Sequence, residues 1–318
     1  MEPMRPIRRA AQAGLASGLA LATTPLKRWV ISVLAHDRRS GIDYDAPRGD
    51  AGLFDPQSVT WIVHADFPGM MSGGICALML QTLHPQALAG VWDHSNFRED
   101  LLGRLRRTTA FVAGTTFAPR SEADKLIARV RAIHGRVNGT TADGRAYSAN
   151  DAELLTWVHC TEMWSFLRGY EVYRPARLST AVKDRYFAET ARVAEQLGAR
   201  GVPKSQAEID AYFSAIRPQL EFSERSRVVL EVLNRVQLPI PAAGVSRHLF
   251  LGAGAALLPD WARQLMPRSP LLQARDRAAR ETLRRLGPLL RAALREGVAA
   301  RSCRRVGISP QTLQRIPD

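Results

Sequence analysis

The chain has 318 residues, of which 46% are apolar and 23% charged. That is ample for a core and excludes a disordered, collagenous or disulfide-stapled class. Cys76, Cys160 and Cys303 are scattered and form no Cys-x-x-Cys, which excludes a zinc ribbon and a thioredoxin-type pair and suits a reducing, cytoplasmic setting. The net charge of +14 is unevenly spread. Residues 1–40 hold seven Lys/Arg against two acids, and residues 271–318 hold eleven Arg against four. The remainder is nearly neutral. Basic ends on a neutral body suggest attraction to an anionic surface, with lipid favoured over nucleic acid.

Arg5, Arg8 and Arg9 precede an Ala- and Gly-rich stretch at 10–24. The order resembles the start of a signal segment, but Gln12 and Ser17 interrupt it, so a surface-lying helix is expected instead. No run of about 18 apolar residues occurs, so no transmembrane helix is expected. Residues 40–60 are rich in Gly, Asp and Pro and read as an irregular lead-in. Helical patterns follow almost without break. Residues 70–84 are apolar on nearly all faces and predict a buried helix ended by Pro85. Residues 97–116 are amphipathic, with Leu101, Leu105, Thr108 and Val112 on one stripe. Ser121 is the expected cap of a helix to Val137, and 138–149 a polar loop. Asn150 with Glu153 predicts a helix start, continuing to Tyr170. Further helices are expected at 179–197, 205–216 and 222–236, and a last one from Leu271 to about Ala300, kinked at Pro288. The expectation is an all-α fold: a basic lead-in over 1–45, one helical domain over 46–300 and a basic tail over 301–318.

Five of the seven histidines, at 64, 84, 94, 134 and 159, fall in the first half of this body. His134 shares a helix face with Ile127, Val130 and Val137. An imidazole in an apolar stripe either donates to a nearby carbonyl or ligates something buried against that wall, and a haem plate is one such occupant. Arg104 and Thr108 are four apart and share a face with Phe111 and Thr115, where a cation and a hydroxyl could hold a propionate, dioxygen or an oxyanion. His159 and Glu162 lie one turn apart, and a non-haem metal site using them with other histidines is an alternative. There is no Gly-x-x-x-x-Gly-Lys-Ser/Thr, no Gly-x-Ser-x-Gly and no His-Glu-x-x-His. The glycines of GMMSGG at 69–74 read as close helix packing. Residues 299–316 carry a Gly-Ile-Ser turn of helix-turn-helix appearance, without the rest of that module. The competing reading is a basic amphipathic segment that docks on the body or lies on an anionic bilayer. A peripheral membrane or nucleic-acid-binding protein with no enzymatic activity is the second alternative.

Several segments together resemble the catalytic domain shared by MpaB-type oxygenases and rubber oxygenases (latex clearing proteins): SVTWIVHADF at 58–67, ALMLQTLHPQALAGVWDHSNFRED at 77–100, GRLRRTTAFVAGTTF at 103–117, RVRAIHGRVNG at 129–139 and AYSANDAELLTWVHCTEMWSFLRGYEVY at 146–173. The resemblance implies a globin-like core holding haem b, with His134 as the axial ligand of the iron and Arg104 and Thr108 beside the haem. It implies O2-dependent oxidation or cleavage of a carbon–carbon double bond in a hydrophobic, isoprenoid or lipid-like substrate. His84, His94 and His159 fall in its histidine-bearing segments, and His84 and His159 are carried as candidate proton-handling residues. Rubber-cleaving members have Arg-x-x-Lys-Thr, whereas this chain has Arg107 in the lysine's place. A guanidinium has no free lone pair, so an open or water-bound sixth position is expected.

Overall fold

The computed structural model describes residues 41–174, 177–236 and 243–315. The basic segment before residue 41, His36 included, lies outside them. The described residues form an all-α fold whose centre is a crossing of two helices, α2 (Phe67–Gln81) and α6 (Ala152–Tyr173). Small residues permit the close approach. A Cβ on Gly73 would sit 2.6 Å from the Ser165 carbonyl oxygen and 2.9 Å from Phe166 Cα, and one on Gly169 would strike the Gly69 carbonyl. The GMMSGG glycines therefore serve helix packing.

Ahead of α2 lies the short α1 (Val59–His64), and after it come α3 (Pro85–His94), α4 (Leu101–Phe117) and α5 (Arg120–His134). Pro85 does not simply end a helix: it is the first residue of α3, with His84 as the cap. The α5 helix starts after Pro119 without a Ser121 cap and stops at His134 instead of Val137, with Gly135 as its C-cap. The polar loop contains a small antiparallel hairpin, β1 (Asn138–Thr140) with β2 (Ala146–Ser148).

After α6 come α7 (Thr180–Leu197), α8 (Gln206–Ile216), α9 (Glu224–Arg235), α10 (Ala243–Ala255), α11 (Asp260–Leu265), α12 (Pro270–Ala293) and α13 (Val298–Arg305). Ser179, Ser205, Ser223 and Ser269 each accept a backbone N–H at a helix start, and Gly198 at φ 114° closes α7 in the left-handed region. The expected last helix is two, separated at residues 294–297; α12 runs through Pro288. Asp66 fastens α12 to the centre. Its side chain is fully buried, caps α2 at Gly69 N, and accepts from Arg291 Nε at 2.5 Å.

The segment of helix-turn-helix appearance is docked on the body. Arg305, 2% exposed, donates to the Asp50 and Tyr44 carbonyls, and Ser302 Oγ donates to the Phe117 carbonyl. Arg301 pairs with Asp43 and Asp45. These side chains hold the tail in place and are not a free recognition face.

Candidate active site

A cavity of about 540 Å³ opens among α2 to α7, α9 and the hairpin, and most of its lining is apolar. That size suits a cofactor or small-molecule site. Among the residues of α4 that reach it, Arg104, Thr108, Phe111 and Thr115 follow one another at helical spacing. The expected stripe is therefore a single wall. Arg104 is half-buried, and its guanidinium has no hydrogen-bond or ion-pair partner among the described residues. Desolvation, then the neighbouring Arg107 charge, lowers its pKa. Thr108 is exposed at the rim, where its hydroxyl donates to the Arg104 carbonyl at 3.3 Å. Arg107 is exposed at the cavity rim, with Nη1 3.5 Å from Asp100.

His134, the last residue of α5, joins Val130 and Val137 in another part of the wall. Its Nδ1 is buried and has no hydrogen-bond partner among the described residues. Donation from that nitrogen to a nearby carbonyl is thus not realised. Desolvation lowers its pKa, which keeps the ring neutral and a nitrogen lone pair free.

The floor is polar. His64, at the end of α1, places Nδ1 2.7 Å from Thr116 Oγ1 and Nε2 2.9 Å from Tyr186 OH. Tyr186 OH donates to Met163 Sδ at 3.5 Å. The network then assigns the proton to Nε2 and leaves Nδ1 to accept from Thr116. Burial, then His159 nearby, holds the His64 pKa down at about 3. His159 and Glu162 of α6 also line the cavity. Desolvation lowers His159 to about 4 and raises Glu162 to about 7, while Gln81 pulls Glu162 partly back.

Two other histidines have different work. His84 is not in the cavity wall: it is 3% exposed and accepts from Ala87 N at 3.5 Å as the α3 cap. The structure does not bring its ring into the wall with Arg104, Thr108 and His159. His94 contributes to the rim, but its Nε2 is engaged with the Asn138 carbonyl at 3.0 Å and ties α3 to the hairpin. Sequence reasoning did not single out the His64–Tyr186 pair. Its members are 122 residues apart, and no local spacing announces them.

The sequence model of one family, described as "ER-bound oxygenase mpaB/B'/Rubber oxygenase, catalytic domain", matches residues 61–292. The chain belongs to this family. Neither the curated proteins nor the solved structures give a match. The matched span covers the whole of α2 through α7, and so every residue of the wall just described. Membership places the chain among oxygenases, enzymes that use O2 and a substrate. The mpaB/rubber oxygenase catalytic domain here presents an apolar cavity, an unpartnered imidazole nitrogen and an unpaired guanidinium, a donor set that fits a haem: one ring nitrogen for iron, apolar walls for the macrocycle, a cation for a carboxylate substituent. Among the described residues no three His, Cys, Asp or Glu side chains are grouped to hold a metal ion, so the non-haem alternative at His159 and Glu162 has no donor set there.

Proposed function

We propose that this chain is a haem b-dependent oxygenase that oxidises, or cleaves at a double bond, an unsaturated hydrophobic substrate. The observation that carries the reading is His134 Nδ1, buried without a partner in the wall of an apolar cavity. A buried polar atom without a partner is costly, and a metal–nitrogen bond removes that cost. His134 would hold the iron, and Arg104 a carboxylate of the macrocycle. When bound, haem would supply the activation of dioxygen that no side chain provides.

The chain's own residues supply the rest. The apolar lining binds the hydrocarbon part of a substrate and excludes water. Thr108 places a hydroxyl at the rim beside Arg104. Arg107, at the rim beside Asp100, has no lone pair to coordinate a metal. Localisation follows as part of the same proposal: a cytoplasmic protein in peripheral contact with an anionic membrane, which would be the reservoir of a hydrophobic substrate.

The test is the absorption spectrum of protein expressed with a haem precursor, oxidised and dithionite-reduced, beside His134→Ala. A Soret band near one haem per chain, lost in the variant, is expected. Absence of the band even after reconstitution would sink the proposal.

A further inference from the structure

His159 and Glu162 form a second sparsely partnered polar region of the cavity wall, on a different helix from Arg104 and from His134. His159 is 8% exposed, yet its ring makes no hydrogen bond among the described residues. His64 and His84 direct ring nitrogens at protein partners. Glu162, one turn further along α6, has the Gln81 amide beside its carboxyl, and that amide also donates to Thr161 Oγ1 at 3.3 Å. Buried polar groups keep hydrogen-bond partners, and the space these two face is the cavity. Their partner is whatever fills the cavity, and a bound ligand that displaces solvent there must meet both groups.

The chemistry of that ligand follows from what surrounds the pair. Burial keeps the His159 ring neutral, with one nitrogen donating and one accepting. The Glu162 carboxyl is held up to about 7, so near neutrality it offers an O–H as well as an acceptor oxygen. An anionic group is better met at the α4 wall, where Arg104 and Arg107 line the cavity, than by an uncharged imidazole and a carboxyl. A hydroxyl, which donates once and accepts twice, satisfies both groups with no charge buried.

We propose that His159 and Glu162 form an inner polar subsite that binds the terminal hydroxyl of an otherwise apolar, unsaturated alcohol. This rests on the hydrophobic-ligand reading above and narrows it from a hydrocarbon to a long-chain alcohol.

Calorimetric titration of the full chain, expressed with a haem precursor, with farnesol and with farnesene tests it, because the two probes share a carbon chain and differ in the hydroxyl. Farnesol should bind about tenfold tighter or better. Glu162→Leu and His159→Leu should each erase the preference while farnesene still binds, which reports an intact cavity. Glu162→Gln, which keeps a neutral donor and acceptor, should retain it. Equal binding of both probes by the unsubstituted chain overturns the subsite and leaves the hydrophobic cavity standing. So does a preference that survives both leucine variants. Binding of neither probe overturns both readings. The unsubstituted comparison stands by itself should a leucine variant fail to fold.

Discussion

Glu162 should make the fold less stable as pH rises, and the size of the effect can be worked out. Its carboxyl ordinarily titrates at 4.5, and burial in α6 raises it to about 7. Between those values the folded chain keeps a proton that the unfolded chain has lost. Unfolding stability therefore falls with rising pH through this window and is flat above it. For one such group the loss between pH 5 and pH 8 is about 2–3 kcal/mol. The groups around it are His159 on α6, Gln81 on α2, His64 on α1 and Tyr186 on α7, none of which carries a charge near neutrality. Glu162→Gln removes the titration and keeps the shape. Urea unfolding of both proteins at pH 5 and pH 8 gives a double difference in which every other titrating group cancels, the buried histidines included. The variant should gain about 2–3 kcal/mol relative to the parent on going from pH 5 to pH 8. An equal difference at the two pH values would refute the claim that this carboxyl is held protonated by burial.

Two structural predictions concern the helices that carry the site. Gly73→Ala puts a methyl group 2.6 Å from the Ser165 carbonyl and 2.9 Å from Phe166 Cα, both backbone, so neither can swing aside. It should cost about 1–3 kcal/mol by overpacking, read as a lower urea midpoint, and an unchanged midpoint would mean that the α2–α6 crossing relaxes freely. Asp66→Ala leaves Arg291 without its carboxylate and α2 without its cap, and should cost roughly 3–5 kcal/mol in the same assay. A loss below about 1 kcal/mol would place the pair with ordinary surface ion pairs.

The fold class was legible because nearly every helix carries its own 3.6-residue pattern and several carry a serine cap. What was not legible depended on neighbours in space. Pro85 reads as a stop, yet a proline is equally at home at the first helical position, and His84 directly before it sits where a cap belongs. That local signal was available and marks His84 as a helix cap. The α12–α13 break falls at 294–297, although Pro288 is the more obvious interruption. For the site, an i, i+4 spacing suffices to put Arg104, Thr108, Phe111 and Thr115 on one wall, because a helix fixes that geometry by itself. It cannot say whether the wall faces a cavity. His64 looked like one histidine among seven because its partners lie 52 and 122 residues away.

The two polar regions of the cavity rest on different kinds of support, and this bears on how each can change. Arg104 and Thr108 sit on one helix, so their relation survives any shift of α4 as a body. The floor is assembled from α1, α2, α6 and α7, and its geometry is set by how closely α2 and α6 pack. Gly69 and Gly73 meet α6 at Gly169 and at Ser165–Phe166, on the helix that carries His159 and Glu162 one to two turns earlier. A larger residue at any of these contacts pushes α6 away from α2 and takes Glu162 away from Gln81. The glycines, which touch nothing in the cavity, thus govern whether the carboxyl and the imidazole keep their places in its wall.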